Sequence, residues 1–296
     1  SFYRAIELSP FCAKTYFSLG VMLGEYEKYG GSQKNYKKSL LLSPSNSEIY
    51  IELGKNYQLA REFFMAKSLY AFSIILHPVT SYANVYIHSV NRQLSQPNSL
   101  ELKKLDAPQS SRNRGEKVFM SELKVDKSLP QTLYSLPNFT PSQENEATLH
   151  KNSAAIREGG VRHSQGFNLF GNDNPIIKKL EKNLTIELSK QVDGSIFIAE
   201  SFFAIYTGVS IVNPHNHSTV WDVKLDLHQQ KYAAVYYVQT GDQNTQQPGV
   251  LKLYDPDMAI VPKVGDLIIF PANMTHSVSY DGKDNRIIIG VNFYRI

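Results

Sequence analysis

Three apolar runs close on a proline at intervals of 34 residues: Ala5-Ile6-Glu7-Leu8-Ser9-Pro10, Ser39-Leu40-Leu41-Leu42-Ser43-Pro44 and Ser73-Ile74-Ile75-Leu76-His77-Pro78. Six residues beyond each of the first two prolines stands a tyrosine, Tyr16 and Tyr50, followed by Leu19-Gly20 and Leu53-Gly54. Ala66, Tyr70 and Ser73 of the later unit match Ser32, Tyr36 and Ser39 of the earlier one. Small residues let two antiparallel helices approach, aromatics fill the gap, and proline stops the second helix. The pattern predicts helical pairs over residues 1–90, with no strand between Tyr16 and Leu76. It fades from about Ser89 to Val125, where Gln96-Pro97-Asn98-Ser99 and Ala107-Pro108-Gln109-Ser110-Ser111 act as breakers. Residues 91–137 therefore read as a linker, with Arg112, Arg114 and Lys117 as a solvated basic cluster.

Beyond the linker the pattern changes twice. Ser142 to Glu158 has helical character and ends at Gly159-Gly160, and Asn174-Pro175 opens a second helix with proline in its first turn. Ile177, Leu180, Leu184 and Leu188 place one apolar stripe on that helix. After Asp193-Gly194 come strands: Ser195–Tyr206, Ala233–Val238, Val250–Tyr254, Asp266–Phe270 and Arg286–Tyr294. Turns of Gly, Pro, Asn and Asp join them without intervening helices, which predicts an antiparallel double sheet beginning near residue 195, helices outside it. The whole reads as a multidomain chain, α then α+β: repeats over 1–90, linker over 91–137, and a β domain over 138–296.

The repeats resemble the tetratricopeptide repeat (TPR), with aromatic, Leu-Gly, small residue, aromatic, small residue and Pro in order. Ser1 to Leu8 then reads as the second helix of a truncated earlier repeat, so the true N-terminus is expected to lie upstream. The resemblance implies a concave surface for a peptide or protein partner, or a remnant that only packs against the rest of the chain.

Charge and cysteine usage narrow the class. With 31 basic and 27 acidic residues the net +4 is too weak to argue for nucleic acid. No apolar run is long enough for a membrane span. Cys12 is the only cysteine, which excludes an internal disulfide and fits a reducing cytoplasm.

The candidate chemistry lies near the C-terminus. His215 and His217, two apart on a strand, point to one face. His276 follows Gly265-Asp266 and Pro271, near the start of a later strand, and Arg286 comes ten residues after it. Iron(II) accepts imidazole ligands, and three on one side leave room for oxygen and a chelating acid. Ligands of one metal should bring their nitrogens within roughly 3–4 Å of each other. Arg286 shares a strand face with Ile288, Gly290 and Asn292, where its guanidinium can grip a carboxylate by two parallel hydrogen bonds and Gly290 keeps the interior open. One of Tyr236 and Tyr237 must also face inward. The remaining histidines, His77, His88, His150, His163 and His228, read as surface or structural.

These residues, over most of 138–296, resemble the 2-oxoglutarate/iron(II)-dependent oxygenases. The matched elements are His215-Asn216-His217, the strand Val235-Tyr236-Tyr237-Val238, Gly265 to His276, and Arg286. The resemblance implies a double-stranded β-helix (jelly-roll) barrel with His215, His217 and His276 as the iron-binding catalytic set. Arg286, with Tyr237 and Asn292, would hold 2-oxoglutarate, and the activity would be a dioxygenase hydroxylation coupled to decarboxylation of that acid. One departure stands out: the commoner pattern has a carboxylate at the position of His217. Asp222, beside Trp221, is the reserve ligand, and Asp226-Leu227-His228 an alternative pair. Three-histidine sites also bind iron, and some oxidise substrates without 2-oxoglutarate. The competing reading is a non-catalytic cupin-like metal- or sugar-binding barrel serving as an interaction module on a TPR scaffold. Such a barrel has no need of Arg286.

Overall fold

The computed structural model describes residues 2–77, 82–95, 117–139, 157–164, 167–219, 222–223, 225 and 227–296. Pro78, Arg112, Arg114, most of the helix expected from Ser142, Trp221 and Asp226 lie outside the described residues. The chain divides into two compact units, residues 1–111 with 224–226 and residues 112–223 with 227–296.

The first unit is helical throughout its described residues: α1 (Phe2–Leu8), α2 (Ala13–Glu25), α3 (Tyr29–Leu42), α4 (Ser47–Leu59), α5 (Phe63–Leu76) and α6 (Ala83–Ser95). α2 packs on α3 and α4 on α5. The repeat positions explain the pairing. A Cβ on Gly20 would stand 2.7 Å from the Tyr36 ring, and one on Gly54 2.5 Å from Tyr70, so each glycine admits the aromatic of the following helix. Ser32 and Ala66 are buried at equivalent points. Tyr16 Oη donates to the Pro10 carbonyl at 3.1 Å and Tyr50 Oη to that of Pro44 at 2.9 Å, which accounts for the tyrosine six residues beyond each of these two prolines. The fading pattern at Ser89 does not end the unit: α6 runs on to Ser95, with Ser89 and Val90 buried.

The second unit comprises β1 (Phe119–Glu122), α7 (Leu129–Ser135), β2 (Asn138–Phe139), β3 (Arg157–Ser164), a 3-10 turn (Leu169–Gly171), α8 (Pro175–Val192), β4 (Ile196–His215), β5 (Lys231–Gln239), β6 (Pro248–Tyr254), β7 (Asp257–Ile260), β8 (Asp266–Pro271), β9 (His276–Tyr280) and β10 (Arg286–Arg295). The strands form one antiparallel sheet in the order β1-β8-β5-β10-β4-β9-β6-β7, with β3 on β4 and β2 on β3. β4 is the spine of the sheet. Its first half pairs with β10 and its end, Ser210 to His215, with β9.

Three expectations need correction. Arg157 to Gly160 belong to β3 rather than to a helix and its stop; the register shifts between Gly159 and Gly160, where Gly160 lies against the Thr207 backbone of β4. Strands also precede residue 195, namely β1, β2 and β3, because the sheet recruits them by pairing with distant partners that local pattern cannot reveal. The stretch 91–137 is likewise not all linker: it holds the end of α6, α7, and β1, paired with β8.

Two cores lie on opposite faces of the sheet. On one, the α8 stripe Ile177, Leu180, Leu184 and Leu188 packs with Phe203, Tyr236, Ile269, Ile289 and Phe293. On the other, the curled sheet encloses Tyr237, Leu253, Phe270, Tyr280 and Ile288. Strand alternation therefore sends Ile287, Ile289 and Val291 of β10 toward α8, and Arg286, Ile288 and Asn292 into the interior. The helix begins where Asn174 Oδ1 accepts the Ile176 N–H at 2.9 Å, with proline in the first turn. Among the described residues no helix is long and apolar enough to cross a membrane.

Candidate functional site

His215 closes β4 and His276 opens β9, and the two are register partners across that pair. His217 follows two residues later, tied by its backbone N–H to the Ala272 carbonyl at 2.7 Å in the loop that leads to His276. The imidazole centroids lie 4.3 Å (His215–His276), 5.0 Å (His215–His217) and 5.0 Å (His217–His276) apart. One ligand nitrogen from each falls within 4.8 Å of the others. It is the only such convergence of His, Cys, Asp and Glu among the described residues.

Main-chain carbonyls set two of the three tautomers. His215 Nδ1 lies 2.8 Å from the Asn213 carbonyl and His276 Nδ1 3.2 Å from that of Met274, each two residues earlier. A nitrogen facing a carbonyl carries the proton and donates it, leaving Nε2 with its lone pair. Burial, with His215 adding to it, pushes the His276 imidazole down to about 3, against a weaker upward effect of the Met274 carbonyl. His276 is therefore neutral and able to ligate across the physiological range.

Arg286, 1% exposed, lines the same cavity as the three histidines, together with Tyr237, Phe202, Val212 and Ile288. Its guanidinium lies 5.0 Å from the Tyr237 ring centroid and 5.7 Å from that of Tyr280, and Nη1 donates to the Pro248 carbonyl at 3.1 Å. Among the described residues no carboxylate pairs with it. Arg286 Nη2 and Tyr237 Oη are both buried without a hydrogen-bond partner. Burial raises the Tyr237 phenol far above its ordinary range, more than the neighbouring guanidinium lowers it, so the hydroxyl keeps its proton. The alternation between Tyr236 and Tyr237 is thus resolved: Tyr236 faces α8 and donates to the Leu123 carbonyl at 3.3 Å.

Four candidate residues are placed differently. Asp222 is turned into an ion pair with Lys231 Nζ at 2.9 Å, and accepts from Tyr294 Oη and the Thr219 N–H at 2.6 Å each. With its carboxylate so committed it does not join the histidines, and neither does His228. Asn292 does line the cavity, but its amide Nδ2 donates to Glu200 at 2.6 Å and stands 3.3 Å from His217 Nδ1, beside the histidines rather than on Arg286. Gly290 does not leave open space: a Cβ there would stand 2.3 Å from the Phe202 ring, which fills it.

Two residues of the site were not singled out from sequence. Glu200 is the one charged side chain in Ile196 to Tyr206, a signal that could have flagged it. Gly249, at φ +76°, faces Arg286 so closely that a Cβ would stand 1.4 Å from Nη1; no local pattern marks it.

No family model matches the chain, and no curated protein matches it. Solved structures similar to its fold do exist. HygX from Streptomyces hygroscopicus, with nickel and 2-oxoglutarate bound, is 11% identical over 61% of this chain and 84% of its own, with a TM-score of 0.45. An oxidoreductase of the 2OG-Fe(II) oxygenase family from Burkholderia pseudomallei is 12% identical over 57% of this chain and 78% of its own, with a TM-score of 0.39. YrrB, a TPR protein with an unusual peptide-binding site, is 22% identical over 33% of this chain and 50% of its own, with a TM-score of 0.31. The likeness is to oxygenases and to TPR proteins. The chemistry must be read from the site's own residues.

Proposed function

We propose that the chain is an iron(II)- and 2-oxoglutarate-dependent dioxygenase with a jelly-roll-type catalytic domain, its helical repeats serving to recruit a protein or peptide partner, in a reducing cytoplasm. One observation supports it most: a guanidinium buried beside a three-histidine cluster with an unsatisfied N–H and, among the described residues, no carboxylate paired to it. A buried charge left unpaired is costly, so its natural complement is an anion that arrives as ligand. A non-catalytic metal- or sugar-binding barrel gives Arg286 no such partner.

The donor set fits both groups. His215, His217 and His276 would hold iron(II), with two Nε2 lone pairs already aimed by backbone carbonyls. Arg286 Nη2 and Tyr237 Oη would donate to one carboxylate of the acid, as charge-assisted and neutral hydrogen bonds. When bound, iron and 2-oxoglutarate supply oxygen activation coupled to decarboxylation. The chain's own contribution is to orient the acid through Arg286 and to keep bulk water from it with the apolar lining of Phe202, Val212 and Ile288.

Anaerobic titration with iron(II) and then 2-oxoglutarate tests this. A visible charge-transfer band should appear only when both are present. Arg286→Lys keeps the charge but loses the fork, and should weaken 2-oxoglutarate by roughly ten- to a hundredfold, in line with about 1.5–3 kcal/mol for a hydrogen bond to a charged group, with iron affinity little changed. If 2-oxoglutarate never binds the wild-type chain, the oxygenase reading fails.

A further inference from the structure

We infer that Glu200 is a specificity-determining residue of this site, its carboxylate receiving a substrate that carries a cationic group, an ammonium or guanidinium on an alkyl stem; this rests on the oxygenase reading above.

The backbone supplies the first argument. Ile196 and Ile198 of β4 pack toward the α8 side. Unbroken alternation would send Glu200 to that same apolar face. Instead the register with β10 slips: Asn292 pairs with Glu200 but Phe293 with Ile198, leaving Ala199 as the extra residue of a bulge. The bulge inverts the parity beyond it, so that Phe202, Ala204 and Tyr206 face the interior and Glu200 turns with them toward Asn292. Without it a carboxylate would be forced among the apolar side chains beneath α8.

The carboxylate itself supplies the second. Asn292 Nδ2 donates to Glu200 Oε2 at 2.6 Å. Among the described residues Oε1 accepts nothing, and no Lys, Arg or His pairs with the charge. Glu200 and His217 are partly exposed, whereas Arg286 and Tyr237 are each 1% exposed. The cavity is thus open on the side of His217 and Glu200 and closed around Arg286.

Position supplies the third. Asn292 stands 3.3 Å from His217, which puts the Glu200 carboxylate one side chain away from the histidine cluster. Arg286 begins β10 roughly 20 Å from Asn292, at about 3.3 Å per residue, and so does not neutralise Glu200. The site therefore carries a cation at its closed end and an anion at its open end. A molecule entering beside His217 meets the free oxygen of Glu200, with Phe202 on the same face to pack an apolar stem. A neutral substrate would shut water away from that charge without replacing it, and an anionic one would oppose it.

The test uses the full chain loaded anaerobically with iron(II) and 2-oxoglutarate, whose own binding is measured first. The probes are N-acetyl-lysine amide, N-acetyl-arginine amide, n-pentylamine and the uncharged N-acetyl-norleucine amide, titrated by calorimetry into wild type, Glu200→Gln and Glu200→Lys. At least one cationic probe should bind wild type roughly ten- to a hundredfold more tightly than the norleucine probe. Glu200→Gln keeps the shape and the acceptor for Asn292. It should abolish the preference, with the affinities for iron(II) and 2-oxoglutarate and the unfolding midpoint unmoved. Glu200→Lys should reverse it, favouring N-acetyl-glutamate amide. Tighter binding of a capped amino acid than of pentylamine would support a protein side chain as the source of the cation, and the reverse a free amine. If wild type binds 2-oxoglutarate but no cationic probe better than the neutral one, or if the preference survives in Glu200→Gln, the assignment is overturned while the oxygenase reading stands. Failure of 2-oxoglutarate to bind overturns both.

Discussion

Arg286 shows how a neighbour without a side chain can place a charge. Gly249 holds φ +76° and passes so close to the guanidinium that any Cβ would overlap it. Gly249→Ala must therefore move Arg286 as well as strain the backbone, which costs about 1–3 kcal/mol for a residue forced into such a conformation. The expected result is a 2-oxoglutarate affinity at least roughly tenfold weaker with iron(II) affinity retained, measured by the same anaerobic titration. Wild-type 2-oxoglutarate affinity in Gly249→Ala would mean that Arg286 is not the anchor. Alternation puts Arg286 on one strand face with Ile288 and Asn292, and the three line one cavity. It could not show Gly249, because the contact joins β6 to β10 and leaves no local pattern.

Among the elements, α8 was the most legible. Its cap, its proline and its stripe are all encoded within the helix itself, and Asn174 Oδ1 closes the first turn on the Ile176 N–H. Asn174→Ala removes that cap and should lower unfolding free energy by about 1 kcal/mol in urea titration, with the slope unchanged. A loss near zero would mean that packing against the sheet alone holds the first turn. β3 was illegible for the opposite reason. Its Gly159-Gly160 pair reads as a helix stop, and only the pairing of Gly160 with Thr207 shows that the glycine accommodates a neighbouring strand. β4 was found, but not its bulge: a single extra residue at Ala199 is invisible to a period-2 pattern that is apolar on both faces.

For the whole molecule, the buried histidine links the site to stability. His276 is held to about 3 in the native chain against an ordinary 6.5, so between these values the unfolded chain takes up a proton that the native chain does not. A depressed native value makes its contribution complete above about 6.5 and progressively lost as pH falls toward 3. The metal-free chain should accordingly show a falling unfolding midpoint from pH 7 to about pH 4. His276→Gln, which can keep a hydrogen bond to the Met274 carbonyl without titrating, should flatten part of that slope. Superimposable profiles of midpoint against pH would show that His276 is not a source of the acid sensitivity.

What the sequence determined by itself was whatever is written within a few turns of chain. The 34-residue repeat appears as a short-range register of small, aromatic and proline positions, and α8 as caps and a stripe. The order His-x-His, Gly, Pro, His, Arg named the candidate site. Tertiary structure alone decided which of those residues meet. β4 pairs with β9, which sets His215 opposite His276; Tyr237 rather than Tyr236 faces inward; Lys231 and Tyr294 hold Asp222 away; and the bulge at Ala199 turns Glu200 toward Asn292. The physical reason is common to all four. Alternation fixes which side chains share a face, but only strand pairing and burial decide which face becomes the interior, and one inserted residue reverses the answer.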